Sequence, residues 1–341
     1  MRKIVLLVLA MLLLAVPAFA QDMMAEKTIA EIVVEAAGAE TPEFSTLLAA
    51  VSAADPAVLE ALSNPEAELT VFAPTDAAFA ALAESLGEEA FNGVLADQAT
   101  LTGILLFHVT SGKVMSADVV AALEANDGAF AVPSLQGQYI DITSDDMGVY
   151  INGAKLNLDM VDIEASNGVI HVIESVILPE SRTIAEIVVE SAGAETPEFS
   201  TLLAAVSAAD PAVLETLSNP EAELTVFAPT DAAFAALAAA LGEEAFNGVL
   251  ADQAALTNIL LYHVVPGIVR SGDLGALLEE HMSMSEDPLM VDTALEGKQV
   301  SFMVAEDGSV KINDATIIIT DIDAANGVIH VINAVILPPS E

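Results

Sequence analysis

The chain says one thing twice. Residues Thr28 to Val109 recur as Thr183 to Val264, 155 positions later, and the two 82-residue stretches differ at 7 positions. A solenoid unit repeats every ~20–50 residues. A domain takes ~100–200. The repeat is therefore of domain size, and each copy must bury a core of its own. Folding at this length buries roughly 70% of a chain's surface, so such a core is feasible. It must also suffice, because the sequence has no Cys. That excludes disulfides, zinc–thiolate sites and thiol catalysis.

The first twenty residues belong to neither copy. Arg2 and Lys3 precede an apolar run from Ile4 to Val16, and Ala18-Phe19-Ala20 makes a small-x-small cleavage site. This is the pattern of a secretory signal peptide over residues 1–20, with Gln21 as the expected mature start. No later apolar stretch reaches the ~20 residues a membrane span needs. We expect an exported protein, extracellular or periplasmic, without a membrane span after cleavage.

Charge narrows the partners. The chain carries 51 acidic and 9 basic residues, net −42. Once Arg2 and Lys3 are removed, 7 cations face 51 acids, an excess of 44. Such a field repels nucleic acid and anionic lipid. It favours solubility and a diffuse cloud of divalent cations. The 54% apolar content argues against disorder.

Each copy opens with helical signals. Thr28 and Glu31 form a capping box ahead of Ile29, Ile32 and Val33. Thr41-Pro42 reads as the start of a second helix, with Pro at its first position. Phe44, Leu47, Leu48 and Val51 then share one helical face. Asp55-Pro56 starts a third helix. Leu69 to Phe72 reads as a strand that Pro74 ends. Thr75 or Asp76, and Thr230 or Asp231 in the second copy, cap the following helix. The later part of each copy is β-like. Tyr139 to Thr143 alternates, and Asn167-Gly168 reads as a hairpin turn before Val169 to Ile173. Asn326-Gly327 repeats that pattern at an offset of 159 rather than 155, so the second copy has gained four residues. The added length falls around His281 to Asp292, which reads as an exposed surface loop. Helices first and strands after predict an α+β fold, with domains over 27–180 and 181–339. The three-residue link Glu180-Ser181-Arg182 predicts limited relative freedom.

These residues resemble a known family. Thr70-Val71-Phe72-Ala73-Pro74-Thr75-Asp76-Ala77-Ala78-Phe79 is similar to the first signature box of fasciclin-like (FAS1) domains. Asn167 to Ile173 followed by Val176-Ile177-Leu178-Pro179 is similar to the second. Leu260-Leu261-Tyr262-His263-Val264-Val265-Pro266-Gly267 resembles the Tyr-His segment between them. All three recur in order in both copies. The resemblance implies two tandem FAS1-like α+β domains, each a β-sheet wedge with a layer of helices. It also implies a secreted, non-catalytic role in adhesion or extracellular-matrix contact with a cell-surface or matrix component. In animal members the Tyr-His region is linked to receptor binding, which makes Phe107, His108, Tyr262 and His263 the candidate partner-binding residues. The first copy departs from the motif, with Phe107 in place of Tyr.

The remaining candidates have plainer explanations. Each of His108, His171, His263 and His330 sits in an apolar run, as core histidines do; we take His171 and His330 as structural. No Ser-His-Asp arrangement or G-x-S-x-G motif suggests nucleophilic catalysis, and no cofactor is expected. Asp141 with Asp145-Asp146, and Asp321-x-Asp323-x-x-Asn326-Gly327, are the best calcium candidates, but the second has the wrong spacing before Gly and no closing Glu. His281, Met282, Met284 and Met290 offer soft ligands of the kind Cu(I) takes. The absence of Trp disfavours sugar stacking. An exported acidic cation- or metal-binding protein is the alternative function.

Overall fold

The structure, a computed structural model, describes residues 27–126, 128–285 and 287–339. The expected signal peptide, residues 1–20, lies outside the described residues. The chain divides between Pro179 and Glu180 into two compact units.

In the first unit three short helices come first: α1 (Ile29–Ala37), α2 (Ser45–Ala53) and α3 (Pro56–Ser63). The capping box at α1 forms as expected, Thr28 and Glu31 each accepting from the other's backbone amide. Asp55 caps α3 with Pro56 at its first position. The start of α2 is a correction. It begins at Ser45, not at Pro42, and Phe44 in the capping position offers no side-chain acceptor. Its free amides are satisfied from elsewhere in the chain.

Strand β1 (Leu69–Pro74) follows, then α4 (Asp76–Leu86), α5 (Glu88–Ala96), α6 (Gln98–Phe107) and β2 (Val109–Ser111). Pro74 is the last residue of β1 rather than its breaker. Next come α7 (Ser116–Ala125), β3 (Ala129–Pro133), β4 (Tyr139–Asp145), β5 (Gly148–Ile151), β6 (Ala154–Lys155), β7 (Ile163–Ala165) and β8 (Gly168–Ile173). Two four-stranded sheets result, ordered β2-β1-β8-β7 and β3-β4-β5-β6. β1 and β8 lie side by side in parallel, Leu69 opposite Gly168 through Pro74 opposite Ile173. Every residue of both is buried, so each reads as a run rather than an alternation. Val71, Ala73, Ile170 and Val172 join the cluster under the helices. Phe72 and Ile173 join a second cluster with Ile140, Ile142 and Ile151.

The second unit repeats this plan: α8 (Ile184–Ala192), α9 (Ser200–Ala208), α10 (Pro211–Ser218), β9 (Leu224–Pro229), α11 (Asp231–Leu241), α12 (Glu243–Ala251), α13 (Gln253–Tyr262), β10 (Val264–Pro266), α14 (Ser271–Met284), β11 (Leu289–Asp292), β12 (Gln299–Val304), β13 (Val310–Ile312), β14 (Ala315–Ala324) and β15 (Gly327–Ile332). The fold of each unit is α+β. Here, however, one seven-stranded sheet, β10-β9-β15-β14-β13-β12-β11, replaces the two of the first copy. The cause is local. In the first copy Asn157 turns the chain, its side chain accepting from the Asp159 amide and its carbonyl from the Met160 amide. Pairing puts Thr316 at the position of Lys155, and the second copy has five residues between Ala315 and Asp321 where the first has seven between Ala154 and Asp162. Without the two extra residues of that turn, and with the β-branched run Thr316 to Thr320 in its place, β14 runs on through both former strands.

The expected surface loop at His281–Asp292 is also corrected. His281 to Met284 form the last turn of α14, and Leu289–Asp292 is the edge strand β11. α14 has 14 residues against 10 in α7, a difference equal to the four-residue gain.

Candidate functional site

The polar side chains singled out by sequence lie mostly inside the domains. His108 ends α6 and is 3% exposed. Its Nδ1 donates to the Ile104 carbonyl at 2.7 Å, and its Nε2 accepts from the Ile177 amide at 3.1 Å. The ring joins the end of a helix to the last segment of the domain. Burial, only partly offset by the Ile104 carbonyl, pulls its pKa down to about 4. His263 does the same between Ile259 and Ile336, also at about 4.

His171 stands on β8, stacked against Phe72 at 6.0 Å between ring centroids. Its Nε2 donates to the Val114 carbonyl at 2.8 Å, and its Nδ1 accepts from the Asp162 amide at 3.3 Å. Burial lowers its pKa against the opposing pull of the Val114 carbonyl and Asp162. His330 repeats these contacts with Val269 and Asp321. Both ring nitrogens of all four histidines are thus engaged by backbone groups. A zinc or copper ion would have to displace those bonds before it could be ligated.

Phe107 is 2% and Tyr262 3% exposed. This corrects the expectation that Phe107, His108, Tyr262 and His263 meet a partner, because the folded surface does not present them. The Tyr262 hydroxyl is used internally, donating to the Gln299 carbonyl at 2.8 Å and accepting from Asn313 at 3.0 Å. It ties α13 to β12 and to the turn after β13. Phe107 fills the same place without that tie.

Thr75 caps α4 by accepting from the Ala78 amide, as Thr230 caps α11 through Ala233. Asp76 acts elsewhere. Its two carboxylate oxygens accept from the Ser45 and Thr46 amides at 3.2 and 2.7 Å. It supplies the cap that Phe44 cannot, holding α2 to the start of α4. Burial pushes its carboxyl up, but the Thr46 and Ser45 bonds outweigh that and hold it below the usual range. Asp231 serves α9 identically.

The roles of several polar side chains escaped the sequence reading. Asn167 is 1% exposed and clamps three segments. Its Oδ1 accepts from the Ile29 amide at 2.8 Å, and its Nδ2 donates to the Leu62 and Asn64 carbonyls at 2.9 and 3.0 Å. The hairpin turn between β7 and β8 is Ser166-Asn167, one residue earlier than expected, and Gly168 begins the strand. A Cβ on Gly168 would stand 2.0 Å from the Leu69 carbonyl oxygen, so only glycine fits there. Asp162 caps α7 through the Ser116 amide and hydroxyl, and Asp321 caps α14 through Ser271. Arg270, 5% exposed, pairs with Asp323. Both carboxylates of the Asp321-x-Asp323 calcium candidate are therefore engaged by Ser271 and Arg270. Asp145 of the other candidate accepts from the Met147 and Gly148 amides. Among the described residues, no three or more His, Cys, Asp or Glu side chains are gathered to hold a metal ion. His281 lies against the Asp287 carbonyl, and Met282 and Met284 are 51% and 72% exposed.

The arrangement is one α+β domain used twice, its signature residues serving as internal ties. The fasciclin domain model matches residues 42–179 and 197–338. The chain belongs to the fasciclin domain family. Protein sll1483 of Synechocystis is 41% identical over 171 residues, spanning 49% of this chain and 82% of that protein. The pig transforming growth factor-beta-induced protein ig-h3 is 40% identical over 142 residues, 42% of this chain and 18% of that one. Human periostin is 25% identical over 309 residues, 91% of this chain and 31% of periostin. A FAS1 domain pair from the insect cell adhesion molecule fasciclin I matches at 20% identity and TM-score 0.39, covering 86% of this chain and 96% of that one. Among the described residues no single helix is long and apolar enough to cross a membrane.

Proposed function

We propose that this chain is an exported, non-catalytic adhesion module, whose two fasciclin domains bind a cell-surface or matrix component through their outer surfaces. One observation carries the reading. The side chains with chemical potential, four His together with Asp76, Asp162, Asp231 and Asp321, are committed to backbone groups that hold each domain together. What remains to act is surface. The test is binding of the cleaved chain to intact producer cells and to their isolated surface fraction. Binding that saturates, and that is lost on unfolding the chain, supports the proposal. No binding to either refutes it.

The net charge of −42 favours a second reading, an exported cation-binding protein. A ligand that binds only the folded state raises stability by mass action. A melting temperature that rises with millimolar calcium, well beyond the rise given by sodium at equal ionic strength, is the result that reading requires.

A further inference from the structure

The outer face of the second domain's sheet differs from that of the first in a way that points to a partner. Leu289 and Val291 of β11 turn inward, leaving Met290 and Asp292 outside. Register puts Met290 opposite Ser301 and Met303 opposite Lys311 on that same outer face. Met290 and Met303 are 49% and 41% exposed, and Ile318 of β14, next to the inward-packed Ile317, is 50% exposed. Scattered exposed apolar side chains are ordinary, but a group of them on one face is not. Matching the Phe130–Ile142 pair to the Leu289–Phe302 pair shows what the first copy has instead. Ala131 stands for Met290, Asp141 for Ser301 and Thr143 for Met303. One acid and two small residues have become one Ser and two Met side chains, in a chain of net charge −42.

We propose that this face joins two copies of the chain as a homodimer, sheet against sheet about a two-fold axis. The charges around the apolar centre are self-complementary. Asp292 on β11 lies opposite Gln299 of β12, and Lys311 on β13 lies opposite Met303 of β12. Ser301 is midway between those two levels. A two-fold axis in the interface plane through Ser301 therefore sets the Asp292 carboxylate of each copy over the Lys311 ammonium of the other, as an isologous contact requires. The strands then cross steeply, within the orthogonal class of sheet packing. Elsewhere the two anionic copies repel. Here Ser301 stands where the first copy's face has Asp141, and the polarizable Met side chains adapt to an opposing apolar surface.

Sedimentation of the cleaved full chain at ~0.1 mM in ~0.15 M salt, where the screening length is ~8 Å, tests this. We expect a dimer. Met303→Asp should give a monomer with an unchanged melting temperature. Lys311→Asp should weaken association about tenfold or more. The exchange Asp292→Lys with Lys311→Asp should restore it, which a merely misfolded variant could not do. A monomeric wild type overturns the proposal, as does a dimer that survives Met303→Asp or that the exchange does not rescue. A monomer that instead binds neutral lipid vesicles through Met303 also overturns it.

Discussion

The buried histidines make the fold acid-sensitive, by an amount that can be worked out. His108 and His263 are held neutral, with folded pKa values of about 4. In the unfolded chain the value is ~6.5. Between those values the unfolded state binds the proton and the folded state does not, so stability falls as pH falls. The stabilisation is fully present above ~6.5 and is lost progressively toward pH 4. At pH 5 the ratio of the two proton-binding polynomials is ~30, or ~2 kcal/mol per histidine. Each domain has one such residue, so each should lose ~2 kcal/mol between pH 7.5 and pH 5, or ~4–8 °C in melting temperature. His171 and His330 shift in the same direction and add to the effect. Carboxylates also titrate on this path, so the comparison must be with a variant. In His108→Gln with His263→Gln, the amide reaches the Ile177 and Ile336 amides but takes up no proton. Its melting temperature at pH 7.5 should be lower than that of the wild type, and its fall to pH 5 should be smaller by the amount above. The sequence pI is about 4.1, so the protein is still anionic at pH 5. Parallel pH profiles for the two proteins would refute the assignment of buried neutral rings.

Asn167→Ala leaves the buried Ile29 amide and Leu62 carbonyl without their Asn167 partner, at ~1–3 kcal/mol each, so the first domain should lose at least ~2 kcal/mol in urea unfolding. Asn167→Asp, of the same shape, should do no better, because it turns an anion toward the Leu62 and Asn64 carbonyls. Gly168→Ala should cost at least ~3 kcal/mol, and Gly327→Ala as much, while Gly112→Ala, whose added Cβ meets nothing within 4 Å, should cost only the ~1 kcal/mol of an unfavourable positive φ; unfolding of the three variants side by side decides it. Raising salt from 0.01 to 0.1 M cuts the screening length from ~30 to ~10 Å, which should relieve self-repulsion among the 51 acids and raise the melting temperature of both domains.

Much of this fold is legible in sequence because its signals are local. A capping box concerns four residues, and Thr28 with Glu31 forms one as written. β1 and β8 are continuous apolar runs because both their faces are buried, a property visible in the residues themselves. The failures are non-local. Asp76 looks like a cap for its own helix, yet it caps one that starts 31 residues earlier, and nothing near Phe44 says that a cap is missing. Asn167 looks like a turn residue, and it is one, but the turn hides its three bonds to α1 and the end of α3. Pro42 satisfies the rule for a first helical position, yet α2 starts where the Asp76 carboxylate is. Tyr262 could be found by motif, but only the fold shows its hydroxyl turned inward. The exposed face of β11 to β14 follows from register, and register is set by pairings that a single strand does not encode.

The parallel pairing of β1 with β8 has a kinetic consequence. β9 has the same six residues as β1, Leu-Thr-Val-Phe-Ala-Pro, and β15 the same six as β8, Gly-Val-Ile-His-Val-Ile. Any of the four can therefore pair in register with a partner from the wrong copy. The native contact of Leu69 with Gly168 closes a loop of 99 residues, whereas Gly168 lies only 56 residues before Leu224. Chain entropy alone thus favours the mispaired β8–β9 contact by ~0.5 kcal/mol. During synthesis β1 and β8 have emerged before β9 exists, and domains fold as units from the N-terminus. A chain diluted from denaturant has no such order. It should populate swapped, slowly resolving species, and the protein made in sequence should not.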